Sequence, residues 1–390
     1  MITLALAGKP NCGKSTFFKA ATMAQVEIAN YPFTTIDANH GVAYARTTCP
    51  CKTLGLSGCT ACKDGVRFVP VAFIDVAGLV PDAHKGKGLG NQFLDNLREA
   101  DAILHIIDAS GATDAEGNPV DAGSHDPRED IAFLRYEMTM WVVGILAKHW
   151  PRLQRQAQSK LSDVYDGVAG VLAGLAITYE DVKDAADEVG IDLRRASEED
   201  LAPFCDLLLQ KTKPMLFVGN KMDTASDEML DALKGVGCMP ASAAAELALR
   251  MAAEGGFIDY IPGDLSFTIR ADAKLTAAQR AGIERLGLLM QKHGGTGVQQ
   301  AINRAVFELL DQIVVYPVED EHHCTDKQGR VLPDAFLMRR GSTPKDLAFR
   351  VHTEIGEGFL YAVDARSGMR IKESTELKDG DIIKIVSTRK

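Results

Sequence analysis

Gly8–Ser15, GKPNCGKS, is the stretch that decides how the rest of this chain is read. Two glycines, Gly8 and Gly13, enclose a four-residue spacer, and Lys14 and Ser15 follow directly. The stretch lies between a strand-like run, ITLALAG, and a helical one, GKSTFFKAAT. Strand, glycine turn and helix start in that order make a phosphate cradle, because backbone N–H groups wrap the phosphates and the helix N-terminus adds positive potential. In such a cradle Lys14 reaches the β- and γ-phosphates and the Ser15 hydroxyl coordinates Mg²⁺. Pro10, Asn11, Cys12 and Thr16 complete the set of residues expected against the nucleotide.

Outward from this loop the chain alternates strand-like and helical runs. GVAYAR, VRFVPVAFIDVAG and AILHIIDAS read as strands and GNQFLDNLREAD as a helix. Alternation of this kind predicts a mostly parallel sheet covered by helices, with ligands gathered at the carboxyl ends of its strands. From Asp126 to Lys211 the pattern turns to long helical stretches with no strand, a helical insertion. Strand-like KPMLFVGN then resumes the first pattern, and KHGGTGVQQAINRAVFELLDQI reads as a connecting helix. The last section has short strands (AFLMRRG, FLYAVDA, DIIKIVS) and a helix capped by Ser342 or Thr343, with Pro344 in its first turn. The expected organisation is a nucleotide domain over 1–125 and 212–312, a helical domain over 126–211 and a C-terminal domain over 313–390.

The composition is that of an ordinary globular chain: 390 residues, 46% hydrophobic, 25% charged. A net charge of -10 argues against a basic footprint over the whole chain, although a local basic patch remains open. No apolar run approaches the ~20 residues needed to span a bilayer, and the N-terminal apolar run leads straight into the glycine-lysine loop, so neither a membrane span nor a cleaved leader is expected. Of eight cysteines, four crowd into CPCKTLGLSGCTAC (Cys49, Cys51, Cys59, Cys62), a pattern that fits a reducing compartment better than a disulfide framework.

Further motifs fit a nucleotide. NKMD (Asn220–Asp223) follows an apolar strand; an aspartate there accepts both N–H donors of the guanine edge while the Lys221 stem lies along the base. SAAAE (Ser242–Glu246) either brings backbone N–H groups, that of Ala243 among them, to the guanine O6 or is a helix start capped by its serine. Asp75 ends an apolar strand, where it holds Mg²⁺ through water, and Gly78 offers a backbone N–H to the γ-phosphate. In YPFTTID, Thr34 and Thr35 are the candidates for the threonine that closes over Mg²⁺, with Thr35 preferred.

GKPNCGKST, YPFTT, DVAGLVPDAHKGKGLGNQF, NKMD and SAAAE, in that order, resemble the Obg-related GTPases of the TRAFAC class and most closely their YchF subfamily. The resemblance extends to the helical insertion and to FLMRRGSTPKDLAFRVHTEIGEGFLYAVDARSG, which is similar to a TGS domain. It implies an α/β fold: a Ras-like P-loop core, an inserted helical, coiled-coil-like arm and an α+β, ubiquitin-like β-grasp TGS domain. It further implies GTP and GDP as ligands, Mg²⁺ as cofactor, and slow hydrolysis coupled to the ribosome or RNA, in a cytoplasmic protein that is expected to be a monomer. Many YchF proteins have lost the guanine-reading tetrapeptide and prefer ATP; this chain keeps Asn220, Lys221 and Asp223, so that preference is not carried over, and an ATP-preferring ATPase of the same architecture and an RNA- or ribosome-binding factor with secondary hydrolysis stand as the alternatives.

Leu79 stands after Gly78, where many GTPases carry glutamine, and an apolar side chain cannot orient water. The resemblance offers two substitutes, His84 in the glycine-rich segment PDAHKGKGLG and a K⁺ ion beside Asn11. The cysteine cluster, C-x-C followed by C-x-x-C between two strands, suits tetrahedral Zn²⁺, with free thiols or a redox-sensitive pair as the alternative. In the last domain Arg339, Arg340, Lys345, Arg350, Arg370, Lys372 and Lys384 are candidates for RNA phosphates, and Phe359 and Tyr361 for base stacking, against the plainer reading of a mixed-charge surface with core aromatics.

Overall fold

The computed structural model describes residues 1–23, 40–76, 78, 82, 98–156 and 161–389. Its central sheet has six strands: β1 (Thr3–Ala7), β2 (His40–Thr48), β3 (Val66–Asp75), β4 (Ala102–Asp108), β5 (Met215–Asn220) and β6 (Met239–Pro240), in the order β2-β3-β1-β4-β5-β6. Only β2 runs antiparallel to its neighbour; all other pairs are parallel. Parallel strands covered on both faces need apolar side chains on both, and β4, AILHIID, is buried along its whole length. β2 and β3 form the hairpin that carries the four cysteines at its tip.

Among the described residues between β4 and β5 lie four α-helices: Pro127–Gln156, Leu161–Leu172, Tyr179–Val189 and Leu201–Thr212. Leu134, Met138, Val142, Leu146 and Trp150 recur every fourth residue along the first, which places them on one face. That stripe is buried against Val164, Val168, Leu172, Val182, Phe204 and Leu208 of the other three. The same core continues into Ala5, Ala7, Ile74 and Ile103 of the sheet. The insertion therefore packs onto one face of the nucleotide domain as a compact bundle, where the resemblance suggested an arm. Asp206 accepts both Nε and Nη2 of Arg135 at 2.6 Å, tying the last helix to the first. No single helix among the described residues is long and apolar enough to cross a membrane.

Past β6 come the helix Ala243–Glu254, a two-stranded ribbon (β7, Ile258–Asp259; β8, Thr268–Ile269) and the helix Ala277–His293. The expected connecting helix with its glycine-rich lead is present: Gly294 ends the Ala277–His293 helix in a left-handed conformation, and after Gly297 the chain runs without a break through an α-helix, Val298–Asn303, into a π-helix, Arg304–Leu309. The C-terminal domain is a five-stranded mixed sheet in the order β10-β9-β13-β11-β12, with helices Pro344–Val351 and Thr353–Glu357. Its strands are β9 (Gln312–Val318), β10 (Phe336–Arg339), β11 (Phe359–Asp364), β12 (Met369–Ile371) and β13 (Ile382–Ser387). Thr343, not Ser342, caps the first helix, in a reciprocal capping box with Asp346. β9 pairs in parallel with β13 and antiparallel with β10.

Candidate functional site

The carboxyl ends of β1, β3, β4 and β5 converge on the glycine-lysine loop. Gly13 sits at φ 94°, and a Cβ on it would run into the Asn220 side-chain amide, so only glycine lets the loop close there. Lys14 opens the helix Lys14–Thr22 (α1), and its Nζ turns back to donate to the carbonyls of Gly8 at 3.0 Å and Lys9 at 2.8 Å. The ammonium is thereby held over the concave side of the loop. Asn11, at φ 60°, donates its amide nitrogen to Gly117 O at 3.0 Å.

Ser15 Oγ donates to Asp75 Oδ2 at 3.1 Å. Burial pushes the Asp75 carboxyl up, while the Ser15 hydroxyl and the Lys14 charge pull it back. A hydroxyl and a carboxylate meeting beside a phosphate loop are the hard oxygen ligands that fit Mg²⁺. Gly78 backs onto the same loop, where a Cβ would lie 3.0 Å from Pro10 N. Thr34, Thr35, Leu79 and His84 lie outside the described residues, as does most of GNQFLDNLREAD.

Asn220 ends β5 and joins both halves of the site, its amide donating to Cys12 O at 3.0 Å and its Oδ1 accepting from Ala243 N at 2.9 Å. Asp223 accepts from Ser242 Oγ at 2.6 Å, and the same Oγ caps the following helix by accepting from Ala245 N. Of the two readings of SAAAE, the structure shows the capped helix start, and the capping serine also holds the aspartate, while the Ala243 N–H is given to Asn220. Glu246, fully buried, accepts from Arg250 Nε at 2.6 Å, Tyr260 OH at 2.8 Å and Thr296 Oγ1 at 2.5 Å, which anchors that helix to the chain passing behind it. Beside Asp223 opens a cleft lined by Met222, Ala244, Ala245, Leu286 and Leu289.

Two ion pairs at this site, one half-buried and one buried, escaped the sequence reading. Lys221, at φ 63°, reaches Asp108 Oδ2 at 2.8 Å at the end of β4. Burial works to raise the Asp108 carboxyl, but the Lys221 ammonium and the hydroxyls of Ser110 and Thr113 outweigh it and hold it below the usual range. Lys9, inside the phosphate loop, lies 2.9 Å from Asp130 in the first turn of the insertion, and His125 Nε2 lies 2.8 Å from the same carboxylate. Only the strand order makes these contacts; a lysine at Lys9 and an aspartate at Asp130 carry no sequence signal of each other.

Elsewhere, the four thiols of Cys49, Cys51, Cys59 and Cys62 lie within 4.8 Å of one another. In the C-terminal domain the RNA candidates fare unevenly. Arg340 pairs with Asp311, Lys345 with Glu373 and Lys384 with Glu321, so each is partly neutralised. Arg370 stacks over Tyr361 at 3.7 Å, and Phe359 is half-buried against the domain core.

Fold and site together define a P-loop GTPase with a helical insertion and a TGS domain. Family models agree: a 50S ribosome-binding GTPase matches residues 3–135, the Obg-like GTPase YGR210-like, G4 motif-containing domain matches 218–320, and a TGS domain matches 322–387. An uncharacterised GTP-binding protein of Methanocaldococcus jannaschii is 47% identical over 100% of both chains. The ribosome-binding ATPase YchF of Bacillus subtilis is 34% identical over 59% of this chain and 58% of its own. Among solved structures, a GTP-binding protein from Pyrococcus horikoshii is 40% identical, covers 100% of both chains and superposes with a TM-score of 0.77. The YchF GTPase of Schizosaccharomyces pombe shares the fold at 18% identity and a TM-score of 0.56. The chain belongs to the Obg-like GTP-binding proteins.

Proposed function

We propose that this protein is a slow, Mg²⁺-dependent GTPase that controls translation on the ribosome as a cytoplasmic monomer. The observation that carries the base preference is the Asn220–Asp223 loop, with Asp223 held by Ser242 and Asn220 bridging the phosphate loop to the Ala243 backbone. A carboxylate fixed beside the base cleft accepts from the N1–H and N2–H₂ donors of guanine; adenine presents no such pair. The ATPase name belongs to the bacterial relative, which matches little more than half of this chain.

Hydrolysis is attack of water on the γ-phosphate. Ser15, Thr35 and Asp75 would hold Mg²⁺, which would offset the charge that develops on the phosphate oxygens. Lys14 contributes a second positive charge, and the Gly78 backbone N–H orients the γ-phosphate. His84 or a K⁺ ion beside Asn11 supplies what Leu79 cannot; the hydrogen bond to Gly117 fixes the Asn11 amide, and with it the one end of that side chain able to ligate a cation. Ribosome engagement is supported by the 50S ribosome-binding family match over residues 3–135 and by the bacterial relative's name, and we assign it to the TGS and helical domains.

Calorimetric binding of non-hydrolysable GTP and ATP analogues with Mg²⁺, in K⁺ and again in Na⁺, tests the reading. GTP is expected to bind at least tenfold more tightly, with a gain in K⁺; equal or tighter ATP binding overturns the base assignment.

A further inference from the structure

The tip of the β2–β3 hairpin, residues 49–65, contains one short helix, Pro50–Thr53, and otherwise no regular structure. Loops of this length without an apolar core of their own need another source of order. Here it is sulfur. Cys49 caps the short helix and Cys51 lies within it, both buried, while Cys59 and Cys62 approach from the returning chain. Cys49 Sγ lies 3.9 Å from Cys59 Sγ, and Cys51 Sγ lies 3.5 Å from Cys62 Sγ. Four thiolates at about 2.3 Å around a tetrahedral ion stand roughly 3.8 Å apart, close to both separations. Disulfides would need about 2.05 Å.

The surrounding backbone fits as well. Cys49 N donates to Gly65 O at 2.8 Å and closes the loop at its base.

The tip also has a neighbour. Cys49 and Cys51 share a core with Val314, Tyr316 and Val318 of β9 and with Cys324 and Leu332 of the C-terminal domain. From β3 in the same hairpin, Arg67 donates to the carbonyls of Leu332 at 2.9 Å and Pro333 at 2.8 Å while lying over the Tyr316 ring. We propose that Cys49, Cys51, Cys59 and Cys62 form a structural Zn²⁺ site that sets the hairpin tip as the platform on which the C-terminal domain docks. Closed four-thiolate sites with no open position are structural, not catalytic.

The test is metal analysis of the full-length protein after gel filtration in EDTA, together with Co²⁺ exchange. One Zn²⁺ per chain and the visible bands of tetrahedral cobalt–thiolate support the site. The Cys59→Ser/Cys62→Ser variant is expected to lose the metal and to be cleaved by protease around residues 313–335 at least tenfold faster, while GTP binding persists. Less than a tenth of an equivalent of zinc in the native protein, an iron chromophore, or a disulfide found by mass spectrometry overturns the proposal. Zinc retained by the double variant shows an adventitious ion only. Unchanged cleavage with the metal gone overturns the docking role. If the double variant does not fold, native stoichiometry and the cobalt spectrum decide the metal, and protease sensitivity on chelator-driven zinc release decides the docking.

Discussion

At the residue scale, Asp223 makes a sharp prediction. Replacing it with asparagine keeps size and the option of pairing with Ser242, but it exchanges an acceptor for an amide donor beside the guanine N2 amine. Losing that pair and leaving a donor unmatched costs about 2–4 kcal/mol, so Asp223→Asn is expected to weaken GTP binding at least 30-fold. Xanthine nucleotide, which carries an oxygen where guanine has the amine, should bind the variant more tightly than it binds the native protein. A calorimetric comparison checks both arms, and a variant that still prefers GTP would remove Asp223 from base recognition. His105 makes a different prediction. It lies fully buried in β4, edge-on to Phe217, and burial with the Lys14 and Lys9 charges holds its pKa down to about 3. Its folded pKa lies below the unfolded value near 6.5, so its neutral form is unpenalised above that pH and stability falls as pH drops toward 3. At pH 5 the loss is about 2 kcal/mol, and His105→Phe should flatten that part of the thermal stability profile.

At the scale of elements, the phosphate loop and the insertion are joined by Lys9 and Asp130, whose side chains are 1% and 5% exposed. Asp130→Leu strands the buried Lys9 ammonium and should cost ~3–5 kcal/mol, while Lys9→Met leaves Asp130 with His125 as its partner and should cost less. The double substitution should recover much of it, because a matched apolar pair leaves no charge behind. Chemical denaturation of the four proteins completes the cycle. Additive losses would mean that the pair does not couple loop and helix.

At the scale of the whole molecule, the C-terminal domain rests on the nucleotide domain through the apolar core around Cys49 and Cys51 and through the buried Arg67 guanidinium. Arg67→Ala removes both hydrogen bonds to the 332–333 backbone and the contact with Tyr316, and calorimetric unfolding is expected to change from one transition to two as the domains uncouple. A single unshifted transition would assign the docking to the apolar contacts alone. The chain by itself determined most of the local chemistry: the phosphate loop, Asp75 at a strand end, the base loop, the capped helices and the cysteine spacing all depend on neighbours in sequence. The insertion was legible too, because a four-residue apolar recurrence needs only one helix to express it. Only the tertiary structure decided what those pieces meet. Sheet order brought Asp108 to Lys221 and Asp130 to Lys9, and the cores at Ile74 and Val164 merged. Tyr316 and Leu332 settled on the cysteine-bearing hairpin. Sequence patterns report which face of an element is apolar, whereas a pairing between distant charges, or the surface that covers a given face, follows from topology and burial, and these belong to the whole fold.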